Sequence, residues 1–155
     1  MDDELRHTAI HEAGHAVVGR VLKQVCGSAT IDADYDLDEA GHDICAEPWI
    51  TLGRWWGDGP DTATRPHGTM KGVMLGRIIC YMAGWLAEEE CLRQCAGGDE
   101  DDHYQVDLML ASTLPDDADL TAYAARIERF GRAIVRRHKE TIERVGTVGA
   151  GGRGG

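Results

Sequence analysis

The segment His11-Glu12-Ala13-Gly14-His15 brings together the residue types of a hydrolytic metal site. On a helix, residues i and i+4 share a face, so His11 and His15 can both present imidazole nitrogens to one tetrahedral Zn²⁺ at ~2.0 to 2.1 Å. Glu12 then stands beside the metal without ligating it, placed to take a proton from a zinc-bound water whose pKa falls to about 7. The chemistry predicted is attack of metal-activated water on a peptide carbonyl, with Glu12 as general base. Composition alone yields such a pattern in about one chain in fifty of this make-up, and the competing reading is a pair of surface histidines on an ordinary helix. His7 extends the same face by one more turn. It is too far along the axis to join the tetrahedron easily, which suits a role behind the ligands or in solvent.

Such a pattern works only on a helix, and the flanking residues supply one. Leu5, Ile10, Ala13, Val17, Val21 and Val25 recur at helical spacing, and the acids Asp2, Asp3 and Glu4 occupy the first turn, where the helix dipole favours them. A helix over residues 2–25 is predicted, followed by a short strand over 29–33 and a second over 43–47, together a small hairpin. Residues 48–68, rich in Gly, Pro, Thr and Trp, read as a long loop in which Trp49, Trp55 and Trp56 either line a cleft or pack. Helical periodicity returns over 70–94, and an acidic turn at 99–102 leads into a short helix that ends at Pro115. Leu120, Tyr123, Ile127, Phe130, Ile134 and Ile142 mark one long helix over 119–145. The fold class expected is mainly α, a helical zincin-like domain over residues 1–145 with a small β hairpin. Residues 146–155, holding six of the 20 glycines, are expected to form a disordered tail.

Composition narrows the function classes. A chain of 155 residues suits one domain, which buries roughly 70% of its unfolded surface. A net charge of −11 repels a nucleic-acid backbone or an anionic lipid surface, so neither is an expected partner. The longest apolar stretch, Ile78 to Leu86, is about half of the ~20 residues that span a bilayer. The acidic N-terminus is unlike a signal peptide, and a cytoplasmic location is expected. Five cysteines without a CxxC pair do not resemble a disulfide framework, and Cys91 and Cys95, one turn apart, read as small hydrophobes rather than metal ligands. Asp36, Asp38, Gly41 and Glu47 match part of a calcium-loop template, but Ala40 breaks it and a solvated hairpin is the better reading. Seven of the 16 basic residues fall between Arg126 and Arg144, either a solvated face or a surface for an acidic partner.

Beyond these local readings, the string Thr8-Ala9-Ile10-His11-Glu12-Ala13-Gly14-His15-Ala16-Val17-Val18 resembles the zinc-site helix of the peptidase domain in the FtsH family of bacterial ATP-dependent metalloproteases. Ala83-Gly84-Trp85-Leu86-Ala87-Glu88-Glu89 is similar to that family's second helix, and Asp107-Leu108-Met109-Leu110-Ala111-Ser112 to its Asp-Leu-x-x-Ala-Thr stretch. The strand at Ala29-Thr30-Ile31 also has a counterpart there, and the match runs in order over most of 8–112. The resemblance implies a zinc metalloendopeptidase in which Asp107 is the third metal ligand. The sequence departs from the family in lacking a GxxxxGK[ST] phosphate loop, so no ATPase is expected within it, nor a membrane anchor ahead of the domain. Its acidic turn before Asp107 also differs from the family's Ser/Gly-rich one.

Three candidates therefore stand for the third ligand: Asp107 by the resemblance; Asp102 in the acidic run, with His103 beside it; and Glu88 or Glu89, which would give a thermolysin-like site. The function expected is zinc-dependent hydrolysis of unfolded or extended polypeptides, which could add as strands along a free edge near Ile31. The partners expected are the polypeptide substrate and either a separate ATPase or further copies of this chain. Two other readings stay open: a non-catalytic metal-binding adaptor that keeps a peptidase-like fold, and an interaction module with a structural zinc and a basic docking helix.

Overall fold

In the computed structural model, the described residues are 3–22, 24, 29–33, 40–42 and 70–151, with side chains given for 3–22, 24 and 74–148. The molecule is mainly helical. Helix α1 spans Asp3–Val21, α2 Met70–Leu92, α3 Glu100–Thr113, α4 Leu120–Arg137 and α5 Lys139–Gly151. Two short backbone segments, β1 (Ala29–Ala33) and β2 (Ala40–His42), run antiparallel, with Ala29 opposite His42 and Ala33 opposite Ala40. The second segment thus precedes the strand expected over 43–47, which lies outside the described residues. So do the calcium-template residues Asp36, Asp38 and Glu47, and the tryptophans at 49, 55 and 56.

Helix α2 is the axis of the bundle. Met74, Ile78, Tyr81, Met82, Ala83, Trp85, Leu86 and Ala87 are all buried, so it is apolar on nearly every side, as a helix enclosed by others must be. Helix α1 crosses it through small residues. A Cβ on Gly14 would meet the backbone of Ala83 and come within 2.7 Å of Ala87 Cβ, so only glycine permits this approach. Helix α3 covers α2 with Val106, Met109 and Leu110, and α4 covers it with Ile127, Gly131 and Val135. A Cβ on Gly131 would come within 3.0 Å of Leu86 Cδ1.

The chain reverses between α2 and α3 by left-handed backbone at Arg93 (φ 66°), Gly97 (φ 90°) and Gly98 (φ 89°). The two glycines take this conformation without a side-chain clash, and the tight return lets Asp102 in the first turn of α3 reach His11 and His15 of α1. Asp119 caps α4, its Oδ1 accepting from the Ala122 N–H at 3.0 Å.

Two expectations are corrected at the C-terminal end. Residues 119–145 form two helices rather than one, parting at His138. No Gly or Pro marks the break; it lets α5 leave α2 and lie on α1 while Lys139 Nζ donates to the Glu90 carbonyl at 2.7 Å. Residues 146–151, expected in a disordered tail, continue α5. Gly146 is buried, and a Cβ there would stand 3.0 Å from Ile10 Cδ1 and 3.2 Å from the Ala9 carbonyl, so this glycine serves a close helix crossing rather than chain freedom.

Candidate metal centre

The buried face of α1 carries His7, Glu12 and His15, with His11 at its margin. His11 and His15 lie one turn apart, their ring centroids separated by 4.7 Å and their planes inclined at 71°. Room for both comes from α2: a Cβ on Gly84 would sit 2.5 Å from His15 Nε2 and collide with His11 Nε2 as well. The side of the site facing α2 is therefore built on the absence of a side chain.

Each imidazole is held by its Nδ1. His15 Nδ1 lies 2.7 Å from the Cys80 carbonyl oxygen, which can only accept, so this nitrogen carries the proton and donates. His11 Nδ1 lies 2.7 Å from Glu88 Oε1 and donates to it in the same way. Glu88 is fully buried and is held in turn by His7 Nδ1 on Oε2 at 2.7 Å and by the Ala96 N–H on Oε2 at 2.9 Å. Burial works against the Glu88 charge, but the bonds from His11, Ala96 and His7 outweigh it and lower its pKa. The Cys95 thiol, which burial pushes up to about 11, stays protonated and points its sulfur at Glu88 Oε1 and Asp99 Oδ2, 3.7 Å from each.

With both Nδ1 atoms committed, both Nε2 atoms turn to one carboxylate oxygen: Asp102 Oδ2 is 3.0 Å from His11 Nε2 and 3.1 Å from His15 Nε2. A neutral imidazole whose Nδ1 carries the proton has only a lone pair at Nε2, so nitrogen and carboxylate would repel. Protons or a cation must sit among the three atoms. Burial opposes charge on His11, yet its bonds to Asp102 and Glu88 raise its pKa to about 10; burial likewise opposes charge on Asp102, but its bonds from His11 and His15 hold it well below the usual carboxylate range.

A metal ion fits the same space. The ligand atoms of His11, His15 and Asp102 all lie within 4.8 Å of one another. Neighbouring vertices of a tetrahedron with ~2.0 Å bonds are about 3.3 Å apart, close to the two distances to Asp102. Two imidazoles and one carboxylate, each imidazole oriented by an acceptor behind it, are a common donor set for zinc. Glu12, 6% exposed, is the residue after His11 and close enough to act on its charge.

Of the expected site residues, the geometry brings together His11, His15 and Glu12 but not Asp107, which is exposed on the far side of α3. Asp102 takes the position that the resemblance assigned to Asp107. The reason is helical register: Asp102, Val106, Met109 and Leu110 follow i, i+4, i+7 and i+8 along the inward stripe, and Asp107 lies about 140° around from Asp102. That signal was present in the sequence. Glu88 supports His11 rather than joining the trio, and Glu89 faces outward to Arg132 Nη2 at 2.6 Å. His103 stacks on Trp85 at 4.0 Å between centroids and bonds Asp99 Oδ2 at 2.9 Å, apart from the trio. Among the described residues, neither Cys91 nor Cys95 belongs to the group formed by His11, His15 and Asp102. What the sequence reading missed was the roles of Gly84 and the Cys80 carbonyl, which no local pattern signals.

No protein-family model matches the chain, and no curated protein matches it. No helix among the described residues is long and apolar enough to cross a membrane.

Proposed function

We propose that this chain is a zinc-dependent metalloendopeptidase that hydrolyses unfolded or extended polypeptides in the cytoplasm, and that it is a zincin-like relative of the FtsH-family peptidase domain. The observation that carries the reading is the convergence of His11 Nε2, His15 Nε2 and Asp102 Oδ2, with both Nδ1 atoms already engaged behind them. A catalytic zinc takes three protein ligands and a structural one four, and His11, His15 and Asp102 would supply three.

When bound, zinc supplies a Lewis acid that lowers the pKa of water and polarises the scissile carbonyl. The protein does the rest. Glu88 and the Cys80 carbonyl fix the two imidazoles in the tautomer that presents Nε2. Asp102 contributes the anionic ligand. Glu12 accepts a proton from the attacking water and returns it to the leaving amine. A substrate adding to β1 near Ile31 would need several consecutive unpaired backbone groups, which an unfolded chain offers and a folded one hides. The segments β1 and β2 would together form the small hairpin of such a fold.

The test is hydrolysis of an unstructured polypeptide by the zinc-loaded chain, with a stable folded domain as control and each substrate assayed with and without ATP. The expected outcome is cleavage of the first substrate only, abolished by a chelator, restored by Zn²⁺ and indifferent to ATP. Zinc bound without any turnover would favour a metal-binding adaptor.

A further inference from the structure

The outer faces of α3 and α4 remain uncovered within the described part of the chain. Tyr104 is 61% and Leu108 46% exposed on α3; Tyr123 is 41% and Phe130 60% exposed on α4. These are large apolar groups that share a face in each helix, neighbours at i and i+4 on α3 and two turns apart at i and i+7 on α4, so each pair marks a stripe. Each stripe carries charge of one sign. Glu100, Asp101 and Asp107 flank Tyr104 and Leu108, all exposed; Arg126 and Arg137 share the face of Tyr123 and Phe130, also exposed.

The ion pairs among the described residues consume other charges. Arg132 binds Glu89, Glu90 and Glu128, Arg136 binds Glu90, and Lys139 pairs with Glu143, tying α4 and α5 inward. None of them uses Glu100, Asp101, Asp107, Arg126 or Arg137. The two stripes are joined by the turn 114–119 and belong to helices packed side by side on α2, so both look away from the core.

We propose that this chain pairs with a second copy of itself, the acidic Tyr104–Leu108 face of α3 in one protomer meeting the basic Tyr123–Phe130 face of α4 in the other. A two-fold axis makes the pairing reciprocal, so both stripes of both protomers are covered in one closed interface. The occupant is written on the molecule itself: each stripe is the charge complement of the other, with aromatic and aliphatic groups between the charges, as at the centre of protein interfaces. Specific complementarity is needed because a net charge of −11 otherwise drives copies apart. This inference is independent of the peptidase reading.

The experiment is sedimentation equilibrium on the full chain and on two surface variants, Arg126→Glu/Arg137→Glu and Glu100→Lys/Asp107→Lys, with circular dichroism to verify that each is helical. The wild-type chain should be dimeric, and each variant alone should dissociate at least about tenfold more readily, since like charges then face each other. An equimolar mixture of the two variants should restore the dimer, because acidic α3 and α4 faces of one variant meet basic α3 and α4 faces of the other. Should a variant lose helicity, Phe130→Ser gives the same loss of dimer through the apolar contact. A monomeric wild-type chain overturns the proposal. So does an oligomer that survives either reversal, or a mixture that stays monomeric.

Discussion

Glu88 Oε1 lies 2.7 Å from His11 Nδ1, on the side of the ring away from Asp102, and the same carboxylate reaches His7 through its other oxygen. One buried acid from α2 therefore fixes which nitrogen of a histidine on α1 faces Asp102. Replacing it with Gln removes the charge and puts an amide N–H₂ against one of two ring nitrogens that both donate. Glu88→Gln should retain a helical fold and weaken zinc affinity by roughly 10- to 100-fold, the usual scale for the group behind a metal-binding histidine. Isothermal titration with Zn²⁺ measures this; unchanged affinity would remove Glu88 from the site.

Asp102 and Asp107 separate cleanly. Asp102→Asn should reduce zinc affinity by roughly a hundredfold or more, because it deletes the anionic ligand of the proposed three-ligand site, whereas Asp107→Asn on the exposed face should leave it within about twofold. A chelator competition assay reads both. The reverse ranking would restore Asp107 as the ligand.

How far the site could be read from sequence follows from these residues. The HExxH segment carries its own geometry: i and i+4 share a face wherever the helix packs, so the pairing of His11 with His15 was legible. The third ligand depends on how α3 is rotated against α1, which is set by the left-handed turn at Gly97 and Gly98 and by the burial of Val106, Met109 and Leu110. The resemblance pointed to Asp107, but the apolar periodicity of α3 favours Asp102. The helices α1, α2 and α3 were legible within a few residues because their apolar positions recur over several turns. The break at His138 was not, since it answers to α5 packing on α1 and to no local residue type. Gly146 misled for the same reason: a glycine that permits close helix contact looks, in sequence, like one that permits disorder.

In the proposed site a proton and a metal would compete for His11, which gives a pH dependence of known sign. The metal-free fold holds His11 at about 10 against an ordinary value of 6.5, so the stabilisation from this proton is complete below about pH 6.5 and is lost as pH rises toward 10. Glu88 and Asp102 are lowered from 4.5 and 3.8, so their contribution is present above those values and lost as pH falls below them. The metal-free protein should be most stable between about pH 4.5 and 6.5. Zinc needs the neutral ring and expels its proton, so apparent zinc affinity should rise about tenfold per pH unit between about 7 and 9. Thermal melts and metal titrations across that range test both slopes; a flat affinity profile would mean that no proton leaves.

Gly84→Ala places a methyl group against both Nε2 atoms. In an ordinary helix interior the change would gain about 1 kcal/mol. Here the imidazoles must turn away, so helicity by circular dichroism should be preserved while zinc affinity falls by at least about a hundredfold. Tight zinc binding by this variant would show that the metal lies elsewhere.

The most direct test of the catalytic reading compares the intact chain with Glu12→Gln, measuring bound zinc and cleavage of an unstructured polypeptide on the same samples. In the proposed mechanism Glu12 is a base and not a ligand, so both proteins should carry about one Zn²⁺ per chain, and only the parent should cleave, by a margin of at least about a hundredfold. Equal cleavage by the two, or a parent chain that neither holds zinc nor cleaves, would contradict it.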